Sequence, residues 1–191
     1  MYYVLDRFGA RHPCRWVNKY PYIEGVNFRE GTRFTVPIPQ PLEITLKPLK
    51  RNAADHGPEI PDYLKGRIPL FRNDFIDALR KGGVDNLDLY DAVIIDPDDG
   101  KRHTTHKAVN IIGAISAADM GKSEATVHPG GPVIDVDFDN LVVDEKKARG
   151  ALMFRLAESV NAILVHERLR DHLIASGFTD LEFLEPSDVA L

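Results

Sequence analysis

The chain has a single cysteine, Cys14, in 191 residues. One thiol can close no intramolecular disulfide and build no cysteine-based zinc cage, and it suits a reducing compartment. Cys14 follows Pro13, with His12 nearby in sequence. That neighbourhood does not define a thiolate–imidazole pair, so the residue reads as a buried or incidental thiol. Long apolar runs are missing too, since nothing approaches the roughly 20 residues that a membrane span needs. The opening MYYVLDRFGARHP lacks a cationic stretch followed by an apolar signal segment. The expectation is a cytoplasmic protein with no membrane partner. There is no basic excess either: the formal net charge is −5 and the 24 Lys and Arg residues are scattered, which argues against a nucleic-acid partner. No G-x-S-x-G elbow, P-loop or strand-following G-x-G-x-x-G occurs. The reading is therefore non-enzymatic, with no catalytic residues and no cofactor or metal.

What is present begins with proline. Seven of the 13 prolines fall between Pro37 and Pro69. This Pro-rich, extended segment at 37–69 leaves room for one short strand around Leu42 to Leu46 and reads as surface. Residues 1–36 hold too few apolar positions to stand alone, and 43% hydrophobic content over 191 residues suffices for one core. A single domain over 1–191 is expected.

A weak internal repeat supplies the fold class. Written without a gap, FRNDFIDALRKGGVDNLDLY from Phe71 matches VHERLRDHLIASGFTDLEFL from Val165. Phe75 falls on Leu169, Asp77 on Asp171, Leu79 on Leu173, Gly83 on Gly177 and Val84 on Phe178. Apolar residues four apart line one helix face, glycine supplies a left-handed stop, and the alternation that follows gives a half-buried strand. The fold expected is α+β, with a mixed or antiparallel sheet, two similar helix-strand units and one or two further short helices, one of them after Asp144.

The segment DPDDGKRHTTH, residues 96–106, is the densest set of ligand-type side chains in the chain. It lies between two strand candidates, LDLYDAVII from Leu87 to Ile95 and KAVNIIGAI from Lys107 to Ile115. Pro97, Asp98, Asp99 and Gly100 are turn formers, so the segment reads as a hairpin loop whose charges keep its tip in water. A calcium loop needs further oxygen ligands, which TTHKA at 104–108 does not offer. His103 and His106 would converge only on a helix. His166 and His172 sit six apart and read as solvated helix histidines.

One polar pattern survives. In PVIDVDFDN at 132–140, Ile134, Val136 and Phe138 alternate with Asp135, Asp137 and Asp139, so a strand would bury one face and present three carboxylates on the other. Such a ladder either guards an edge strand against sheet-to-sheet association or recognises a basic partner by charge complementarity. A two-metal site lacks a His or Glu at a diagnostic spacing. Asp135, Asp137 and Asp139 are the candidate partner-binding residues.

From Val143 the chain runs VDEKKARGALMFRLAESVNAILVHERLRDHLIASGFTDLEF. Asp144 after an aliphatic residue, Phe154-Arg155, an aliphatic strand, Glu167 and Leu169 opening a helix, and Gly177 before a last strand resemble the eleventh numbered group of immunity proteins of bacterial polymorphic toxin systems, named after a myxobacterial protein. Trp16, FREGT at Phe28 to Thr32 and the strand ending near Ala117-Ala118-Asp119 are similar to the same group, whereas the Pro-rich stretch and MGKSEATVHPGG at 120–131 depart from it. The resemblance implies a protein that binds and neutralises a cognate protein toxin, and it carries over no catalytic residues. The alternatives are a general interaction or scaffold protein without a toxin partner and a metal-dependent hydrolase using the aspartate-rich segments.

Overall fold

Short strands make up most of the regular structure of this chain. The computed structural model describes residues 1–6, 13–49, 57–128 and 136–191. In chain order, the first half contributes β1 (Tyr2–Asp6), β2 (Val17–Lys19), β3 (Leu42–Leu46), β4 (Tyr63–Leu64), β5 (Leu70–Arg72), helix α1 (Asn73–Lys81) and β6 (Leu87–Ile95). Then follow β7 (Arg102–His103), β8 (His106–Ile111), β9 (Ala114–Ile115), β10 (Glu124–Val127), β11 (Val136–Asn140) and the one-turn helix α2 (Glu145–Ala148). The last part holds β12 (Met153–Leu156), β13 (Ile163–His166), helix α3 (Glu167–Ala175), β14 (Glu182–Leu184) and a 3-10 turn at Pro186–Asp188. The architecture is α+β.

Two larger sheets carry the fold. One runs β14-β1-β13-β12-β9, and the other runs β2-β3-β6-β8-β5-β4 with β7 continuing the β6 hairpin. β8 lies between β5 and β6 and is antiparallel to both, while β1 lies between β13 and β14 and is antiparallel to both. α1 and α3 each therefore connect two strands that run parallel with an antiparallel strand inserted between them.

Both helices drive their apolar faces into one core. Phe75, Ile76 and Leu79 of α1 and Leu169 and Leu173 of α3 join Phe71, Val109, Ile111, Met153 and Val165, so this cluster draws on both sheets. Gly82 lets the helices meet, because a β-carbon there would lie 2.5 Å from Leu169 Cδ1. On the outer side of the first sheet, Tyr2, Phe154 and Leu164 pack under Val136, Phe138 and Ala148. On the outer side of the second, Phe28 and its loop cover Leu42, Ile44 and Ile94.

Two expectations are corrected. The Pro-rich segment is not confined to the surface: β3 lies inside its sheet, antiparallel to β2 and parallel to β6, with Leu42, Ile44 and Leu46 buried. Its prolines flank the strand instead of interrupting the ladder. The strand expected over Lys107 to Ile115 stops at Ile111. Gly113, at φ +113°, turns the chain so that Ala114 and Ile115 pair with β12 in the other sheet. The loop at Gly31 locks this crossing, with Gly113 N–H donating to Gly31 carbonyl at 2.8 Å. There a β-carbon on Gly31 would come within 2.8 Å of Ala114 N.

Candidate functional site

The acidic strand is placed by its apolar residues. Val136 and Phe138 are 2% and 1% exposed and enter the core under the first sheet, which turns Asp137 and Asp139 outward. Asp135 lies outside the described residues. β11 pairs with β10 through Ala125–Phe138, Thr126–Asp137 and Val127–Val136. Its second edge is also hydrogen-bonded. Val136 N–H donates to Glu158 carbonyl at 3.1 Å, and Phe138 and Leu191 exchange bonds of 2.9 and 3.0 Å. The carboxylates therefore do not stand on an open edge of β11. His128 Nε2 lies 2.7 Å from Asp137 Oδ2, so one member of the row already has a neighbour of its own, and Val127 beside it is 56% exposed.

Glu158 anchors this strand, and sequence reasoning passed over it. It is 4% exposed, its Oε1 accepts from Ser116 hydroxyl at 2.5 Å and from Ala118 N–H at 3.3 Å, and its backbone carbonyl holds Val136. The only hint in the sequence was a charged residue between apolar segments. The short helix expected after Asp144 is α2, and Asp144 caps it, accepting from Lys146 N–H at 3.0 Å.

The segment at 96–106 is a hairpin, but the picture of charges kept in water is corrected. Asp96 N–H and Lys101 carbonyl close the tip, and the register runs through β7 into β8. Arg15, 1% exposed, donates from Nη2 to Asp96 Oδ1 at 2.5 Å and from Nη1 to Asp98 Oδ2 at 2.6 Å. Leu49 N–H adds a second donor to Asp98. Arg15, and then Leu49, hold the Asp98 carboxyl below the usual range. Asp99 is likewise held low, by Lys101 alongside it. A buried cation thus recruits the turn as its counter-ion, a role that a local reading of turn residues cannot supply.

The histidines are likewise corrected. His106 is 1% exposed, with Nε2 2.9 Å from Pro61 carbonyl and Nδ1 2.9 Å from Thr105 hydroxyl. Those partners fit a neutral ring donating from Nε2 and accepting at Nδ1. Burial pushes its pKa down, against the opposing pull of the Pro61 carbonyl. His166 caps α3, accepting from Arg168 N–H at 3.2 Å, and His172 Nε2 lies 3.1 Å from Ala78 carbonyl, tying α3 to α1. Neither is simply a solvated helix histidine. Cys14 is buried. Among the described residues no group of three or more His, Cys, Asp or Glu could hold a metal ion, and no helix is long and apolar enough to cross a membrane.

No protein-family model matches the chain, and no curated protein matches it.

Proposed function

We propose that this chain is a non-enzymatic immunity-type protein that binds and neutralises a cognate bacterial toxin in the cytoplasm. The observation that carries the reading is the doubly hydrogen-bonded β11. Its exposed Asp137 and Asp139 are not required to guard an open edge, and the buried Val136 and Phe138 hold them in fixed positions. Fixed charge of one sign on a rigid strand suits electrostatic recognition, which speeds encounter and excludes wrong partners. The resemblance of residues 143–183 to immunity proteins points the same way. The test is co-expression with the product of the adjacent gene. The reading expects a complex that co-purifies and cells that survive a toxin otherwise lethal to them. Absence of both would overturn it.

The wider scaffold reads as two copies of one unit, β5-α1-β6 and β13-α3-β14. Phe71 and Val165, Phe75 and Leu169, and Leu79 and Leu173 are all 0% exposed. Val84 N–H donates to Leu79 carbonyl at 3.0 Å and Phe178 N–H to Leu173 carbonyl at 3.1 Å, after Gly83 and Gly177 at φ +98° and +93°. Each unit also takes its antiparallel strand from elsewhere in the chain. Those matches support a duplicated scaffold element that contributes stability rather than chemistry.

A further inference from the structure

The crossing at Gly113, where the chain passes from one sheet to the other, has a groove beside it. A volume of about 340 Å³ is lined by residues 83–86 after α1, by the crossing at Ile112, Gly113 and Ile115, and by residues 150–154, which lead into β12. That size falls in the range of small-ligand sites. Asn86 clamps two of the walls together: its Nδ2 donates to Ile112 carbonyl at 2.6 Å and to Met153 carbonyl at 2.9 Å, and Ile112 N–H donates to Asn86 carbonyl at 2.8 Å. The groove is therefore held in shape without a guest.

Ile112, Ile115, Ala151 and Leu152 along it are only half-buried, so apolar surface remains for a guest to cover. Access is open, since a β-carbon on Gly113 or Gly150 would meet no atom within 4 Å. Charge then selects the guest. Asp85 is the one charged residue among the described residues that line the groove; it is exposed, and among the described residues it makes no ion pair and no side-chain hydrogen bond. A purely apolar guest would take water from this carboxylate and leave it unpaired, which is costly. Lysine and arginine avoid that cost, because their methylene stems lie on apolar surface while the charged head reaches a polar partner. On a carboxylate that head makes a charge-assisted hydrogen bond.

We propose that this groove docks a lysine or arginine side chain of a basic partner protein, with the stem against Ile112, Ile115 and Leu152 and the head on Asp85. The site shares no residue with β11 and does not depend on the toxin-binding reading. The test is an NMR titration of the full chain with the N-acetyl methylamides of lysine, arginine and norleucine, and with n-butylamine, at matched ionic strength. The expected result is a saturable shift of the backbone signals of Asp85, Asn86, Gly113 and Gly150 with a cationic amide. Asp85→Asn should melt like wild type, because Asp85 is exposed, and should weaken that binding by about tenfold, as loss of one charge-assisted contact does. Norleucine methylamide has the stem without the charge, and n-butylamine has the charged stem without the peptide; both should bind more weakly than the cationic amides. Norleucine binding as tightly marks an apolar guest, and butylamine binding as tightly marks a free amine instead of a protein side chain. Either result overturns the proposal, as does the absence of shifts at these four residues or an unchanged affinity in Asp85→Asn.

Discussion

Arg15 Nη1 reaches Asp98 Oδ2 at 2.6 Å across 83 residues of chain, and the same guanidinium holds Asp96. The turn at 96–101 is therefore part of the packing of the N-terminal segment, and its two aspartates are not equivalent to the third. Asp99 pairs with its near neighbour Lys101, at the exposed tip.

The first prediction separates these roles. Asp96→Asn removes one counter-charge from a guanidinium that is 1% exposed. Breaking one partner of a buried pair costs about 3 kcal/mol, or a fall of roughly 6–12 °C in melting temperature for a chain of this size. Asp99→Ser should leave the melting temperature unchanged. Equal, negligible effects in thermal melts would mean that the Arg15 pairing contributes nothing to the fold.

The second prediction concerns the helices. Leu79 and Leu173 are both 0% exposed in one core cluster. Each changed to Ala should destabilise by roughly 2–5 kcal/mol in denaturant melts, the transfer loss plus the cavity left behind. Gly83→Ala and Gly177→Ala force a side chain into a left-handed backbone and should each cost about 1 kcal/mol or more. If the two positions in either pair differ widely in cost, the two units are not equivalent in energy even though their hydrogen bonds match.

Local patterns in the chain were legible wherever the physics is local. The short strand at Leu42 to Leu46, the strand from Leu87 to Ile95, the short helix after Asp144 and the glycine stops after α1 and α3 follow from neighbouring residues alone. What stayed hidden depends on residues far apart in sequence. The partners of His106 and Arg15 come from Pro61 and from Asp96 and Asp98. The burial of β3 requires β2 and β6 on either side. The burial of Arg155, inside MFRL, was not legible, because four consecutive buried positions show no alternation to flag it. At the acidic strand the alternation indicated that Asp137 and Asp139 face out, Asp135 lying outside the described residues, but not that the second edge is covered by chain from Glu158 and Leu191.

The third prediction is a pH dependence. Burial lowers the His106 pKa below its ordinary 6.5. Between the folded and unfolded values the unfolded chain binds the extra proton, so stability rises with pH there and is lost as pH falls from about 6.5 downward. Wild type should lose stability between pH 7 and pH 5 more steeply than His106→Asn. If urea melts across that range give the same slope for both proteins, His106 has no part in the acid response.

The last prediction takes the proposed binding face. Asp137 and Asp139 project from the same side of β11, two residues and about 7 Å apart, within one Debye length at physiological salt. A basic partner would sense them as a single field, so their effect falls on encounter before it falls on residence. Asp137→Asn with Asp139→Asn should leave the melting curve in place, because both side chains are exposed and their alternate neighbours hold the strand. The association rate with the toxin should drop by about tenfold, and its dependence on salt should flatten. His128, against Asp137, sharpens the comparison. Because that contact already occupies one carboxylate, Asp139→Asn alone should slow association more than Asp137→Asn alone. Stopped-flow association at two ionic strengths measures all three variants. Rates that match wild type at both would place the interface elsewhere on the molecule, with the segment from Pro37 to Pro69 the next surface to vary.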